Sequence, residues 1–373
     1  MNKKIILVLN SGSSSVKYSL FNENLKEIEK GIEERIGLEG GAKNHREAIK
    51  RIFKKITDSG KIKDLSEIKT IGHRVVHGGE DFRKPVLVNE KVIKKLKEYS
   101  KLAPLHNPPN ILGIEACREL LPKAKNVAVF DTSFYNSLTP EAYLYAIPYQ
   151  FYQKEKIRRY GFHGISHNYV SQEAKKILGK KIQRLITCHL GAGSSITATF
   201  KGKPIDTSMG FTPLEGLVME SRSGSIDPAI PIYLISQLGF KPEEVDNLLN
   251  KKSGFIGICG IKDFRDILKS KDEKAKLAYR IYLRSVIKHI GAYTGLLGGL
   301  DALVFTAGIG EGAVRFRKDA VDQLKYLGAE IDQKKNKENK YIISTKKSRV
   351  DILVVPTNEA LMIAKETFKL IKH

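Results

Sequence analysis

Three cysteines in 373 residues, Cys117, Cys188 and Cys259, are too sparse and too far apart for a disulfide framework or a paired-cysteine metal site. An odd count of this kind implies reduced thiols and a cytoplasmic protein, and Cys188, inside an apolar run, reads as core. No apolar run approaches the ~20 residues of a membrane-crossing helix. Met1 to Lys4 followed by Ile5 to Leu9 superficially resembles a leader. Its apolar part is short and enters a polar Asn-Ser-Gly turn, so a buried first strand is expected instead. There is no Walker-type Gly-Lys-Ser, and Gly308-Ile309-Gly310 lacks the third glycine of a dinucleotide fingerprint. Acidic residues are outnumbered, 41 against 64 Lys and Arg, which leaves a net charge of +23 and favours anionic partners. The lysines nevertheless mix with glutamate along amphipathic stretches such as Lys91 to Lys101 and Gln172 to Lys181. With no nucleic-acid-binding motif, solvated helix faces are expected, and neither a nucleic acid nor a membrane partner.

What is present begins with a repeat. Ile5 to Leu9 runs into Asn10-Ser11-Gly12-Ser13-Ser14-Ser15, and Leu185 to Leu190 runs into Gly191-Ala192-Gly193-Ser194-Ser195. In both, β-compatible residues resume after the turn, Val16 to Leu20 and Ile196 to Phe200. Each copy reads as a β-hairpin whose tip offers bare N–H groups and hydroxyls suited to phosphate oxygens. Two ordinary hairpins with common Gly/Ser turns would read the same way.

The length exceeds what one hydrophobic core usually supports, so two domains are expected. The first half reads as hairpin, helix (about Asn44 to Ile56), strand Thr70 to Val75, helix (about Glu90 to Lys101), helix from Asn110 and strand Val127 to Phe130. The second half reads as hairpin 185–200, a loop-rich stretch 204–229, and helices from about Pro231 and Pro242. A long helix (about Lys274 to Thr294), strand Ala302 to Phe305, strand Ile352 to Val355 and helix Glu359 to Ile371 complete it. Alternating strands and helices argue an α/β fold with mixed sheets. The last helix is expected to return to the first domain, giving boundaries of 1–148 with about 358–373, and 149–357.

Five polar clusters fall at strand ends or in irregular segments, where α/β proteins place their sites. They are Gly72-His73-Arg74-Val75-Val76-His77-Gly78-Gly79; Ala103 to Pro108 with His106; Phe130-Asp131-Thr132 with Arg158 to Gly164; Ser221-Arg222-Ser223-Gly224; and Phe305 to Glu311. Singly, each suits a surface ion pair, a turn or a satisfied loop histidine. Together they supply what phosphoryl transfer requires: arginines for the phosphoryl oxygens, backbone donors for nucleotide phosphates, and oxygen ligands for a bridging Mg²⁺.

Across essentially the whole chain, in order and spacing, these segments resemble the acetate kinase family, within the superfamily of acetate and sugar kinases, chaperones and actin. The resemblance implies two duplicated actin-like, ribonuclease H-like domains with mixed five-stranded sheets and a cleft between them. It implies reversible transfer between ATP and a short carboxylate, giving an acyl phosphate and ADP, in a homodimer. By the same resemblance, Asn10 and Glu359 would hold Mg²⁺ or Mn²⁺. Arg74 and Arg222 would grip carboxylate and phosphoryl group, and His163 would bond the transferring phosphoryl. Val76, Leu105, Phe162 and Pro213 would receive the methyl group, with His106 beside them. Ser15, Lys17, His189, Gly191, Ala192, Gly193, Asp263, Arg265, Gly308, Gly310, Glu311 and Gly312 would contact the nucleotide.

A carboxylate nucleophile is already ionised at neutral pH, since simple acids have pKa values of roughly 4 to 5. No base is needed, and Asp131 is expected to orient Arg222. Four positions depart from the family pattern: Ala192, Glu220, Ser225 and Gly312. Glu220, two residues before Arg222, would share its face on a strand, which leaves two readings open: it pairs with Arg222 or it points away. Acetate is the expected acid on the bulk of Val76 and Leu105. Propionate is the alternative, and a non-metabolic nucleotide-dependent protein of the superfamily is a more distant one.

Overall fold

The computed structural model describes residues 5–179 and 182–372; Lys180 and Lys181, at the end of one lysine-rich stretch, lie outside them. The chain forms two compact units. One comprises the described residues up to Asn136, with Gly164–Ser166 and the segment from Asn358 onward; the other comprises Ser137–His163 and His167–Thr357.

The first unit carries a sheet of β1 (Ile5–Ser11), β2 (Ser15–Phe21), β3 (Glu27–Glu34), β4 (Ile68–Val75), β5 (Val86–Leu87) and β6 (Lys125–Phe130), ordered β3-β2-β1-β4-β6-β5. The hairpin β1–β2 and the pair β2–β3 are antiparallel, and β4 and β6 add in parallel. Helices His45–Asp58 and Asn107–Leu120 pack on this sheet, burying Ile49, Ile52 and Ile56 with Leu7, Leu9 and Leu20. Asn44 starts the first of these helices by accepting from Glu47 N. The terminal helix Glu359–Lys372 packs against β1 and β4 so closely that a Cβ on Gly72 would lie 2.5 Å from Thr367 Oγ1.

The second unit repeats the plan with β7 (Arg184–Leu190), β8 (Ser194–Phe200), β9 (Lys203–Thr207), β10 (Ala302–Thr306) and β11 (Asp351–Val354), ordered β11-β10-β7-β8-β9. Again a hairpin and a third antiparallel strand lead, and two parallel strands follow. The 25-residue helix Glu273–Leu297 covers it, and Phe255, Phe264, Tyr282 and Phe316 stack edge-on beneath the hairpin. The duplicated α/β design is therefore present. The first sheet, however, has six strands where five were expected, because the two-residue β5 pairs antiparallel with β6.

Three strands escaped the sequence reading: β5, only two residues long, and β3 and β9. β3 reads Glu-Ile-Glu-Lys-Gly-Ile-Glu-Glu, too charged for a strand by composition. Its buried Glu33 is held by Arg51 and Lys55 of the neighbouring helix. β9 fell within the expected loop because it is short and carries a proline. Among the described residues no helix is long and apolar enough to cross a membrane.

Candidate active site

In the first unit the polar groups gather at the carboxyl ends of the parallel strands, the usual ligand edge of such sheets. Arg74 near the end of β4 donates through Nε to Asp131 Oδ1 (3.2 Å) and through Nη2 to Oδ2 (2.7 Å). Its Nη1 lies 3.5 Å from Glu359 Oε2, at the start of the terminal helix. Burial works against this guanidinium, but the two carboxylates outweigh burial and hold its pKa well above the ordinary value. Asp131 thus pairs with Arg74, not with Arg222 as expected. The following loop is set by two asparagines that sequence reasoning did not single out. Val76 N donates to Asn110 Oδ1 and His77 N to Asn107 Oδ1, both at 3.1 Å, while Asn110 Nδ2 reaches Ser11 O.

Val76 and His106 are half-buried, and Leu105 is 50% exposed. Asn10, the penultimate residue of β1, lies opposite Lys17, which is exposed, and Ser15 is half-buried at the start of β2. His73, in the same motif as Arg74, serves the core instead. Its Nε2 lies 2.7 Å from Asn126 Oδ1, and burial pushes its pKa down to about 4.

In the second unit, His163 precedes helix Gly164–Leu178 with a left-handed backbone, φ +56°. The fully buried Phe162 precedes it. The His163 ring stacks on His189 at 4.2 Å, and its Nδ1 lies 2.9 Å from Ser195 Oγ. Arg222 Nη1 donates to Pro213 O (3.2 Å) and approaches Met219 Sδ (3.6 Å). No carboxylate pairs with Arg222 among the described residues, and burial lowers its pKa. Both side chains converge on the second hairpin: a Cβ on Gly193 would lie 3.4 Å from His163 Nε2 and 3.7 Å from Arg222 Nη1.

The same hairpin tip borders a cavity of about 470 Å³, lined by Gly191, Ala192, Asp263, Arg265, Gly308 and Gly312, with Phe255, Phe264 and Lys262 among the other walls. This volume falls in the range of small-molecule sites. A Cβ on Gly308 or Gly312 would meet nothing within 4 Å, so these glycines face open space. Asp263 caps helix Phe264–Lys269 and grips Arg265, whose hydrogen bond holds the carboxyl at about 2. Glu220 does not pair with Arg222. Its carboxylate lies 3.3 Å from Lys262 Nζ and its N–H donates to Ala192 O, so it closes the cavity wall. Ser225 clamps the same loop, its Oγ accepting from Gly216 N.

Gly310 and Glu311 do not line the cavity. Glu311 Oε1 accepts from Ala307 N (2.8 Å) and Thr357 N (3.1 Å), pinning Ala307 at φ +65°. The carbonyls of Gly310 and Glu311 accept from Arg317, a wholly buried arginine whose donors all meet neutral acceptors on Gly310, Glu311, Asn336 and Asn339. Burial lowers its pKa to about 10. An arginine on a helix reads as a solvated residue, so no local signal marked it. Arg158 stacks 3.6 Å over Tyr143, and Arg159 binds the carbonyls of Thr207 and Met209.

The sequence profile of the Acetokinase family matches residues 5–365. An acetate kinase of Thermotoga maritima is 51% identical over 98% of each chain. Among solved structures, a propionate kinase from Francisella tularensis aligns with TM-score 0.93 and 44% identity over 98% of this chain and 99% of that one. Porphyromonas gingivalis acetate kinase aligns with TM-score 0.92 and 40% identity over 99% and 100%. The chain belongs to the acetokinase family.

Proposed function

We propose that the protein is an acetate kinase, catalysing reversible transfer of the γ-phosphoryl group of ATP to acetate to give acetyl phosphate and ADP. The observation that carries this reading is the second hairpin. Its tip borders a nucleotide-sized cavity through Gly191 and Ala192, and Gly193 faces His163 and the carboxylate-free Arg222. A cationic group without a fixed anion, beside a cavity with glycine walls, suits a phosphate chain entering from that cavity.

An acetate oxygen attacks the γ-phosphorus, the bond from that phosphorus to the β,γ-bridging oxygen breaks, and ADP leaves with the electron pair. No proton moves to the protein. Arg74 holds the carboxylate of the acid, and Asp131 fixes the fork of Arg74. Arg222 and His163 neutralise charge on the transferring group. In the first unit, Val76 and Leu105 are the apolar side chains assigned to the methyl group. Catalysis is alignment plus charge neutralisation.

Asn10 and Glu359 offer one amide oxygen and one carboxylate, hard donors that fit Mg²⁺, which keeps most of its shell for water and phosphate. An ion held by these two residues would supply charge neutralisation for phosphate oxygens. We place the enzyme in the cytoplasm, in keeping with three unpaired cysteines. We assign it a homodimer through helix Ala229–Ser236, whose Ile230, Ile232, Tyr233 and Ile235 are exposed together.

The test is acyl phosphate formation, trapped as the hydroxamate, from ATP and Mg²⁺ with acetate, propionate or butyrate. Acetate is expected to give the highest kcat/KM. Preference for propionate would move the enzyme within its family, and no product from a folded protein that binds ATP would sink the reading. Light scattering at graded concentration tests the dimer.

A further inference from the structure

Behind His163 lies a chain of buried hydrogen bonds confined to the second unit. His163 Nδ1 lies 2.9 Å from Ser195 Oγ, which lies 2.8 Å from His167 Nε2; His167 Nδ1 lies 2.7 Å from Thr187 Oγ1. Thr187, His167 and Ser195 are all fully buried. We propose that Thr187, His167 and Ser195 form a one-way relay that holds neutral His163 as its Nε2–H tautomer, making it a hydrogen-bond donor to the transferring phosphoryl group. The role of His163 in this statement rests on the acetate kinase reading; the direction of the relay does not.

The direction follows from counting protons. The Thr187 hydroxyl has one hydrogen-bond partner among the described residues, His167 Nδ1. A buried O–H without an acceptor is a state that native interiors avoid. Thr187 must therefore donate to Nδ1, which requires that nitrogen to be bare. His167 is neutral at ordinary pH, because burial and then nearby His189 push its pKa well below the usual value. Its one proton is then on Nε2 and is donated to Ser195 Oγ. Ser195, with that lone pair engaged, turns its own proton toward His163 Nδ1. A neutral His163 then carries its proton on Nε2. The reverse polarity would strand the Thr187 proton in the core and leave a lone pair on His163 Nε2. That nitrogen lies at the same tip glycine as Arg222 Nη1, where a lone pair would oppose phosphoryl oxygens.

The three residues are positioning residues, and their spacing explains itself structurally. His163 stands at the left-handed residue just before helix Gly164–Leu178, and His167 lies in the first turn of that helix with its N–H bonded to His163 O. Thr187 and Ser195 come from adjacent strands of the hairpin, β7 and β8.

The test is ¹⁵N NMR of histidine-labelled full-length enzyme, reading two-bond correlations that distinguish Nδ1–H from Nε2–H rings, with His163 assigned through His163→Gln. Both His163 and His167 are expected as Nε2–H. Thr187→Val, nearly isosteric but without the donor, is expected to release His163 toward Nδ1–H. It should lower kcat about tenfold, one hydrogen bond's worth, with KM values for ATP and acetate held. Thr187→Ser should restore both readouts. A wild-type His163 in the Nδ1–H form overturns the relay, whatever the variants do. So does an unchanged tautomer and kcat in Thr187→Val. Nε2–H rings in a protein that phosphorylates no acid would leave the relay standing and sink the acetate kinase reading.

Discussion

Arg74 and Arg222 carry the same charge in opposite settings. Arg74 is bound by two carboxylates, a bidentate Asp131 and a more distant Glu359. Arg222 has a carbonyl and a thioether for company. Pairing fixes a guanidinium fork in orientation and compensates its charge. Lack of pairing leaves the charge uncompensated in a low-dielectric setting, where it acts most strongly on an incoming anion. An arginine that must present a carboxylate in one pose benefits from the first arrangement. An arginine that meets a charge appearing during reaction benefits from the second. The two hairpins show the same division. At the first tip, the Gly12 carbonyl lies 2.8 Å from His45 Nε2; at the second, Gly191 and Ala192 line the cavity.

The strongest way to break the comparison is Arg222→Ala. It should lower kcat by about a hundredfold to a thousandfold with the thermal transition kept, the scale of losing one electrostatic stabiliser. Unchanged turnover in a folded variant would remove Arg222 from the chemistry.

Asp131→Asn comes next. It replaces the carboxylate that grips half-buried Arg74 with a neutral amide, leaving Glu359 as its anionic contact, and should destabilise the protein by roughly 3 kcal/mol. It should also raise KM for the acid about tenfold while KM for ATP holds. Denaturant titration and steady-state kinetics read the two effects, and a rise in the ATP KM alone would contradict the assignment.

A smaller effect concerns pH. An unfolded histidine binds a proton below roughly pH 6.5, whereas buried His73 does so only below about 4. His73 therefore leaves stability untouched above pH 6.5 and drains it as pH falls toward 4, by roughly 1 kcal/mol around pH 5.5. His167, lowered in the same direction, adds to the loss from the second unit. The transition temperature measured between pH 7.5 and 5 checks this, and His73→Gln should flatten part of the slope.

The smallest effect belongs to Glu220→Gln. Glu220 pairs with an exposed Lys262 and leaves Arg222 alone, so kcat should change less than about threefold. A tenfold gain would show that Glu220 restrains Arg222 in solution.

The fold was largely legible because strong patterns are local. Ile5 to Leu9, Leu185 to Leu190 and Ala302 to Phe305 are apolar runs ended by polar turns, and all three are strands. β3 was not legible, because it is a strand only by virtue of the open edge of β2 and of the cations that hold Glu33. Within the site, the glycines were visible as glycines, since Gly191, Gly308 and Gly312 leave space that any side chain would occupy. The structural role of Glu311 was hidden for a related reason. A carboxylate beside glycines suggests a ligand contact, and only its bonds to Ala307 N and Thr357 N show it holding the turn.

The sequence by itself determined the duplicated strand plan, the family and the cast of polar residues, because period, turn chemistry and motif order are properties of neighbours along the chain. Tertiary structure alone decided who pairs with whom. Asp131 reaches Arg74 across 57 residues, Arg317 reaches Asn336, and Thr187 meets His167 from another element. Side-chain charge and hydroxyl protons are directed by what lies a few ångströms away, and that distance is set by folding.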